Sequence, residues 1–435
     1  MKILYVCSDP SIRPGGRGGG FTTHVQEMIE SFVKLGNEVL VLDTKSDVEK
    51  STRKAQATVH SSLNASLCAG RAKNDASRIG APQVVRLERS AERIAWNVSR
   101  AMRVILRDSF YCFHNAVFYS RLASLLKKTH DFDFVYERYY LYQFATSMAV
   151  RKWDIPLILE FNASIDEFKL TDGLGLKPVA GLVERMLTRR ADAVITVSGV
   201  LKDYLVRTGI PAAKIHIMHN GVNLSKFRPD ASGDAVRQRF GFSTDDVVVG
   251  FVGGFSVWHG AHFLLEVAPL AVRKDKRIRF LMVGGREGNP RFESFRRTVR
   301  EKGLTEMFRF AGEIPRENVP EHIAAVDIAV IPWATEYGSP TKTFEYMGMA
   351  KPLIAPRVAA LEEVLTHEKT ALLVAAADTQ EMASAIVRLA SDRDLRSSLG
   401  SNARKAVEET YNWDRNAAST VEIAKKLIEG KASQG

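Results

Sequence analysis

Short apolar runs that end at small or turn-forming residues recur along the chain, and they constrain its fold more than any other feature. The first run covers Ile3 to Cys7, and the second covers Glu38 to Asp43. Between them, apolar residues at helical spacing predict a helix that Thr22 or Thr23 caps. Continuous apolar runs that alternate with helices are typical of parallel sheets covered on both faces.

A second series of the same kind begins near residue 247. Its apolar runs lead into glycines or prolines, namely Gly253–Gly254, Gly284–Gly285, Gly312, Pro332 and Pro356. In α/β folds the loops at these strand ends hold the ligands. The chain is therefore predicted to be an α/β protein with two Rossmann-like domains that face a cleft. We place them at residues 1–215 and 216–409, followed by a C-terminal helix and tail at 410–435.

Charge is concentrated in one segment of the 435 residues. Residues 45–128 hold 16 lysines and arginines against 6 acidic residues, whereas the rest of the chain is almost balanced. This basic insertion predicts a polyanionic neighbour, although a solvated insertion without a partner would show the same composition. Three scattered cysteines and the absence of a long apolar run favour a cytoplasmic protein.

A glycine-rich loop, residues 15–20, follows the first strand. Backbone amides at a helix start bind anions, and Asp43 lies about where a ribose-binding acid of a dehydrogenase would. The third glycine of the dinucleotide fingerprint is missing, because its place falls on Phe21 or Thr23. A loop that lines a substrate cleft is therefore favoured over a dehydrogenase or a plain turn.

The segment 337–355 has the most specific pattern. Ser339 is predicted to cap a helix whose first residue is Pro340, so that the amides of residues 341–343 point out of the helix start. Lys342 adds a positive charge, which would make this start a diphosphate site. Glu345 lies on the same helix face and can accept two hydrogen bonds from a ribose diol. A capped helix with a surface Lys–Glu pair remains an alternative on these grounds alone.

The same segment resembles the donor-binding motif of the retaining GT-B glycosyltransferases, glycosyltransferase family four. Other blocks resemble this family in the same order: Gly18–Val25, Ile155–Asn162, Ala191–Ser198, His219–Asn223, Gly250–Gly260 and Tyr411–Trp413. Together they extend over most of the chain apart from the basic insertion. The resemblance implies a GT-B fold, in which the C-terminal helix crosses back to the first domain.

It also implies a retaining transferase that moves a hexose-type sugar from a nucleotide-diphosphate sugar to a glycan or lipid-linked acceptor, in cell-surface polysaccharide or glycolipid synthesis. No metal or other cofactor is expected. The residues assigned to catalysis are Glu160, Asn162 and Lys342. Those assigned to the donor are Gly254, His259, Ser339, Pro340, Thr341, Lys342 and Glu345, and those on the acceptor side are Gly18, Gly19, Gly20, His24 and Arg138.

Several positions depart from the family pattern. A cationic pair common in the family falls on Gly254 and His259, so His259 is expected to replace the missing lysine. Asn162 stands where many members carry a histidine, and the first glutamate of the motif falls on Tyr337, next to Glu336. These differences keep two alternatives open: a non-catalytic nucleotide-sugar-binding protein, and a GT-B epimerase or phosphorylase.

Three further expectations concern charge. Arg138 follows a strand and could contact an anionic acceptor or form a salt bridge with Glu137 or Glu160. Asp131 and Asp133 form a D-x-D pattern that we interpret as a strand start rather than a metal site. Six arginines of the basic insertion recur at three-, four- and seven-residue steps, which predicts a helix that docks on anionic membrane: Arg86, Arg89, Arg93, Arg100, Arg103 and Arg107. No nucleic acid is expected as a partner, and the protein is placed on the inner face of the cell membrane.

Overall fold

Two parallel sheets of six strands each organise the part of the chain that this computed structural model describes, residues 1–9, 20–43, 100–166 and 173–433. The predicted α/β class is confirmed. Residues 45–99, which make up most of the predicted basic insertion, and Gly18 and Gly19 lie outside the described residues.

The first sheet has the strand order β2-β1-β3-β4-β5-β6. Its strands are β1 (Lys2–Cys7), β2 (Glu38–Asp43), β3 (Phe134–Arg138), β4 (Leu157–Phe161), β5 (Ala193–Thr196) and β6 (Ile215–Ile217). The helices of this half of the chain are α1 (Gly20–Lys34), α2 (Arg100–Lys128), α3 (Ala145–Ala149), α4 (Lys177–Arg190) and α5 (Gly199–Arg207). Every residue of β3 and β4 is buried, as expected for strands covered on both faces.

The second sheet has the order β12-β11-β10-β7-β8-β9. Its strands are β7 (Val247–Val252), β8 (Ile278–Val283), β9 (Phe308–Gly312), β10 (Ile328–Val330), β11 (Leu353–Pro356) and β12 (Leu372–Val374). The helices that accompany it are α6 (Asp234–Arg239), α7 (Leu264–Lys274), α8 (Pro290–Glu301), α9 (Val319–Ala324), α10 (Thr341–Gly348), α11 (Ala359–Glu362), α12 (Thr379–Ser391), α13 (Arg393–Glu409) and α14 (Trp413–Ala432).

Strand β7 is the point at which the order of the second sheet reverses. It pairs in parallel with β8 on one side and with β10 on the other. Open α/β sheets bind ligands outside the carboxyl ends of the strands at such a switch point, because the two following connections diverge there and leave a crevice. In the first sheet the reversal lies at β1, between β2 and β3. The segments that follow β1, β3, β7 and β10 are therefore the ones expected to line a ligand crevice.

The described residues form two compact units. One contains Met1–Ser11, Gly36–Val194 and Ala424–Gly435, as far as they are described, and the other contains α1 together with Ile195–Ile423. Helix α14 begins in the second unit, and its last residues belong to the first. The domain limits expected at residues 215 and 409 stay predictions.

Helix α2 is the described part of the segment predicted to be helical and basic. Its 29 residues begin at Arg100, and the residues before it lie outside the described ranges. Asp108 is fully buried on this helix and accepts hydrogen bonds from the Tyr142 hydroxyl, at 2.6 Å, and from the Gly175 amide, at 2.7 Å. These bonds attach α2 to the segment before α3 and to the loop before α4. In the described part of the chain, no helix is both long and apolar enough to cross a membrane.

Candidate functional site

The loop after β7 approaches the segment after β10 closely, and glycines make this approach possible. Gly253 has a φ of +154°, and a Cβ atom built on it would lie 2.7 Å from the Lys342 Nζ. At Gly260, which has a φ of +68°, the added atom would lie 2.4 Å from the Trp333 side chain. At Gly260 the Trp333 backbone and Cβ leave no room for a side chain, whereas at Gly253 the positive φ favours glycine because the end of the Lys342 side chain could move aside. The predicted donor-binding residues of the two segments are thereby brought together at the switch point.

Helix α10 begins one residue later than predicted. Its first residue is Thr341, and Pro340 is the N-cap with a ψ of 125°, so the assignment of Ser339 as N-cap and Pro340 as first helical residue is wrong. The Thr343 amide donates to the Pro340 carbonyl at 3.0 Å. The amides that face outward at the helix start are therefore those of Thr341 and Lys342, not all three that the sequence suggests.

Two polar side chains hold the loop that leads into α10: Ser198, which follows β5, and Asn220, which follows β6. The Asn220 amide donates to the Ser339 carbonyl at 2.6 Å, and the Ser198 hydroxyl donates to the Tyr337 carbonyl at 3.2 Å. A loop carbonyl that is fixed in this way keeps the following amides in one orientation. Sequence reasoning missed both roles, although Ser198 and Asn220 lie within blocks that resemble the family.

Lys342 is buried at the centre of this site. Its ammonium lies 4.6 Å from the centroid of the Phe251 ring and 3.5 Å from Nδ1 of His259. Burial lowers its pKa from 10.5 to about 8, against the opposing effect of the Glu345 carboxylate. Lys342 therefore still carries its charge at neutral pH, and among the described residues its ammonium has a single hydrogen-bond partner, His259. An anion that reaches it would gain a strong interaction.

His259 is neutral in this arrangement. Burial lowers the pKa of its ring to about 3, with a further contribution from the Lys342 charge. A protonated ammonium can only donate, so Nδ1 accepts from Lys342 and the proton of the neutral ring is on Nε2. Nε2 lies on the side of Gly254, 3.5 Å from where a Cβ atom of that residue would be. The expectation that His259 replaces a cation is thus not met in this structure, where the ring offers a neutral N–H donor.

Glu345 is buried on α10 and pairs with an arginine that sequence reasoning missed. Nη2 of Arg316, from a short turn after β9, donates to Oε1 of Glu345. The guanidinium also lies over the Phe227 ring, 5.0 Å from its centroid. The structure therefore directs Lys342 and Glu345 toward different segments, the β7 loop and the β9 turn, rather than toward each other.

Helix α1 contributes another buried carboxylate, Glu27, to the same unit. The buried Glu27 accepts from Lys226 Nζ at 2.9 Å and from Asn223 Nδ2 at 2.7 Å. His24, one turn earlier, is buried with its ring edge-on to Trp413, at a centroid distance of 4.7 Å. Gly20 is the first residue of α1. No sequence signal singled out Glu27, because a single glutamate on a helix is usually exposed.

The motif position next to Tyr337 has a structural role. The Glu336 carboxylate accepts from the Ala359 amide at 3.2 Å, and its carbonyl accepts from the Ala360 amide at 3.0 Å. It therefore stabilises the start of α11. In this structure both the carboxylate and the carbonyl of Glu336 are therefore engaged at the start of α11.

The candidate residues of the first unit surround Glu160, at the end of β4. Glu160 is buried and accepts from the Tyr136 hydroxyl at 2.6 Å and from the Asn162 amide at 3.4 Å. Arg138 Nε lies 3.5 Å from its Oε1, so of the two salt-bridge partners considered for Arg138 the structure shows Glu160. The three predicted residues Glu160, Asn162 and Arg138 thus form one cluster, in which Glu160 holds the other two.

A buried carboxyl beside this cluster was not anticipated. Glu137, on β3, accepts from the Thr146 hydroxyl at 2.7 Å and more weakly from Ser8 at 3.4 Å. Burial raises its pKa to about 7 despite these two bonds. Its Oε2 has no hydrogen-bond partner within the described ranges. Glu137 therefore titrates near neutrality at the carboxyl edge of the first sheet.

The D-x-D pattern lies at the opposite edge of that sheet. The Asp131 carboxylate pairs with Lys2 Nζ at 2.7 Å, and the Asp133 carboxylate accepts the Lys2 amide at 2.6 Å. Both aspartates thus fix the start of β1, in agreement with their interpretation as a strand start. Across residues 1–9, 20–43, 100–166 and 173–433, no three His, Cys, Asp or Glu side chains are grouped as metal ligands.

Two family models match consecutive parts of the chain. One, described as Glycosyltransferase Family 4, covers residues 18–226, and the other, described as Glycosyl transferases group 1, covers residues 246–392. A Streptomyces bingchenggensis (strain BCW-1) protein described as a D-inositol 3-phosphate glycosyltransferase is 26% identical over 310 residues, which are 69% of this chain and 68% of that protein.

Solved structures share the same architecture. The sucrose-phosphate synthase of Thermosynechococcus elongatus superposes with a TM-score of 0.70 at 18% identity, over 99% of each chain. Anabaena HepE, solved in complex with UDP, superposes with a TM-score of 0.68 at 17% identity over the whole of both chains. At this level of identity the likeness establishes the fold.

Proposed function

Because this chain belongs to the group 1 glycosyltransferases of the GT-B fold, we propose that it transfers a hexose-type sugar from a nucleoside-diphosphate donor to a glycan or lipid-linked acceptor with retention. The observation that carries the donor class is the buried Lys342 ammonium at the start of α10, beside Gly253 and Gly254. Anabaena HepE has been solved with UDP and with UDP-glucose, which makes uridine donors the first to test.

The proposed reaction places the diphosphate against the start of α10. The bond from the anomeric carbon to the diphosphate breaks and its electron pair stays on the leaving phosphate oxygen. Lys342 and the outward amides of Thr341 and Lys342 stabilise that charge, because their donors are already oriented and largely shielded from water. The acceptor oxygen bonds to the anomeric carbon from the face that the diphosphate leaves, and its proton passes to the leaving phosphate. The configuration is thereby retained, and no metal is needed for the charge.

The other donor contacts follow from the same geometry. Glu345 holds the ribose hydroxyls, and His259 donates from Nε2 to a phosphate or sugar oxygen. Ser339 and Pro340 shape the loop that presents the helix start. In the first unit, we assign Asn162 to the transferred sugar and Arg138 to an anionic acceptor, with Glu160 orienting Asn162 through a hydrogen bond and Arg138 through an ion pair.

The acceptor is proposed to be presented by a membrane. Helix α2 exposes four apolar side chains at steps of four, seven and four residues, which places them on one side: Met102, Leu106, Phe113 and Val117, exposed by 50, 46, 66 and 44%. Arg103 and Arg121 share a neighbouring side, since they are about five helical turns apart. An apolar stripe with a basic flank fits the interface of an anionic bilayer.

The apolar stripe and basic flank of α2 also support the proposed location of the enzyme and the class of product it makes. The excess of basic residues in 45–128 attracts anionic lipid, and the stripe on α2 supplies the apolar contact. The enzyme would then work at the cytoplasmic face of the cell membrane, in the synthesis of a surface polysaccharide or a glycolipid. Lipid is the one occupant proposed for this surface.

Vesicle flotation tests the membrane proposal. Wild type should float with vesicles that contain phosphatidylglycerol and much less with neutral vesicles or at high salt. Arg103→Glu with Arg121→Glu, and separately Phe113→Ser with Val117→Ser, should each reduce recovery at least several-fold. Arg297→Glu with Arg300→Glu, an equal change of charge on α8, should not. Equal flotation of all variants, or equal binding to neutral vesicles, would overturn it.

A donor screen tests the transferase proposal itself. Thermal stabilisation by UDP-, GDP- and ADP-sugars, followed by assays of transfer and hydrolysis, should identify one donor that is both bound and consumed. Binding without turnover on any acceptor would favour a non-catalytic nucleotide-sugar-binding protein. The departures from the family pattern at His259 and Asn162 are the reason to test this alternative. Release of an epimerised sugar would favour an epimerase.

A further inference from the structure

Arg316 is a charged residue of the site to which neither the motif nor the family resemblance assigns a role. It lies in the turn Arg316–Asn318 between β9 and α9, and its guanidinium donates to Oε1 of Glu345. The Glu345 side chain is 5% exposed, whereas that of Arg316 is 39% exposed. The pair therefore joins a buried carboxylate to a partly exposed guanidinium at the edge of the proposed donor site.

The guanidinium is itself held from two sides. The Phe227 ring covers it at 5.0 Å, which restricts its plane. Burial alone would lower the pKa of Arg316, but the carboxylates of Glu345 and Glu27 together raise it. Arg316 thus pairs with Glu345 of α10 and also feels the charge of Glu27 of α1, so it keeps its own charge.

The pairing leaves the second oxygen of Glu345 available. Oε2 makes no hydrogen bond to any residue in the described ranges, and Oε1 retains a lone pair after it accepts from Arg316. A carboxylate that is fixed at one oxygen presents its remaining acceptors in one direction. Two adjacent hydroxyls of a ribose need two acceptors in such a fixed arrangement, because each hydroxyl must replace its hydrogen bond to water.

We propose that Arg316 is a positioning residue that fixes Glu345 for recognition of the ribose 2′-hydroxyl, and so makes the site selective for ribonucleotide over 2′-deoxyribonucleotide donors. The inference rests on the proposed function, since it assumes that Glu345 faces the ribose. Arg316 acts through Glu345 and makes no contact with the reacting atoms. Its loss should therefore change donor binding and selectivity rather than the chemical step.

The test compares UDP with 2′-deoxy-UDP as ligands, or the corresponding nucleotides if the screen identifies another base. Wild type should bind the ribonucleotide at least about tenfold more tightly, as expected for one hydrogen bond to a charged group. In Arg316→Ala this ratio should fall to about two, while KM for the donor rises roughly tenfold and kcat stays within about twofold. Arg316→Lys, which keeps the charge but not the planar fork, should recover part of the ratio.

Two comparisons make the outcome decisive. Arg277→Ala removes an arginine that pairs with Asp275 at the other edge of the sheet, and it should leave affinity and ratio unchanged. Lys342→Ala should weaken both nucleotides equally. If wild type discriminates and Arg316→Ala keeps the full ratio, or loses both nucleotides equally, the inference is wrong. If wild type binds no nucleotide, the proposed function itself fails.

Discussion

The Lys342 ammonium lies 3.5 Å from Nδ1 of a neutral His259, and this contact defines the charge of the proposed donor site. Only one of the two groups is protonated at neutral pH, because burial and mutual repulsion lower the pKa of His259 to about 3 and burial lowers that of Lys342 to about 8. The site therefore presents one buried cation and one neutral donor to a diphosphate.

Donor affinity should depend on pH through Lys342. Since its pKa in the free protein is about 8, the ammonium is lost as pH rises through that value, and KM for the donor should increase above pH 8. Lys342→Arg should keep KM level to about pH 9.5, because arginine stays protonated. A KM that is constant from pH 6 to 10 in wild type would show that the charge of Lys342 does not contribute.

Removal of the buried charge should stabilise the unliganded protein. The folded-state pKa of Lys342 lies below its ordinary 10.5, so the penalty is fully present below about pH 8 and disappears as pH rises toward 10.5. Lys342→Met should raise the free energy of unfolding by about 1–3 kcal/mol at pH 7, less at pH 10, and lose donor binding. Urea unfolding measures it, with the exposed Lys405→Met as a control. A destabilised Lys342→Met would contradict this account.

A second cation at position 259 should be unfavourable in this chain. His259→Lys would place two ammonium groups in contact, which lowers the pKa of Lys342 further. The rise of KM should then move to lower pH, and the melting temperature should fall. His259→Gln, a neutral donor, should change KM by less than about threefold. Tighter donor binding in His259→Lys with an unchanged pH profile would show that the site accommodates both charges.

Activity is expected to survive chelation. The diphosphate charge is assigned to Lys342 and to the backbone amides at the start of α10 rather than to a metal ion. Treatment with EDTA should therefore leave at least about half of the transfer rate. Complete loss that Mg²⁺ or Mn²⁺ restores would refute this assignment and would require a set of ligands for the metal.

The sequence was most informative where the signal is local. Periodicity predicts the apolar runs that become β7 and β10, and a single motif predicts that Lys342 and Glu345 lie on α10. Arg316 could not be found in this way, because only the turn after β9 brings it to Glu345. Glu27 likewise acquires its partners Asn223 and Lys226 through tertiary structure. The protonation of His259 depends on burial, which no spacing reveals.

The start of α10 shows a smaller limit of the same kind. Serine followed by proline predicts a serine cap, yet Asn220 holds the Ser339 carbonyl and Pro340 takes the N-cap position. The helix boundary therefore lies one residue later than the local rule predicts, next to a carbonyl that a side chain distant in sequence holds. The local sequence pattern correctly predicts a helix at this position, but its first residue, and hence the set of amides that face outward, is known only from the three-dimensional structure.

The most direct test of the central claim, that α10 and the β7 loop bind the diphosphate and ribose of the donor, is calorimetric titration of the nucleotide identified by the screen into wild type, Lys342→Ala and Glu345→Ala. Loss of a charge-assisted contact should weaken binding by roughly 1.5–3 kcal/mol, about 10- to 150-fold, in each variant. Affinities within about twofold of wild type in both variants would contradict the claim.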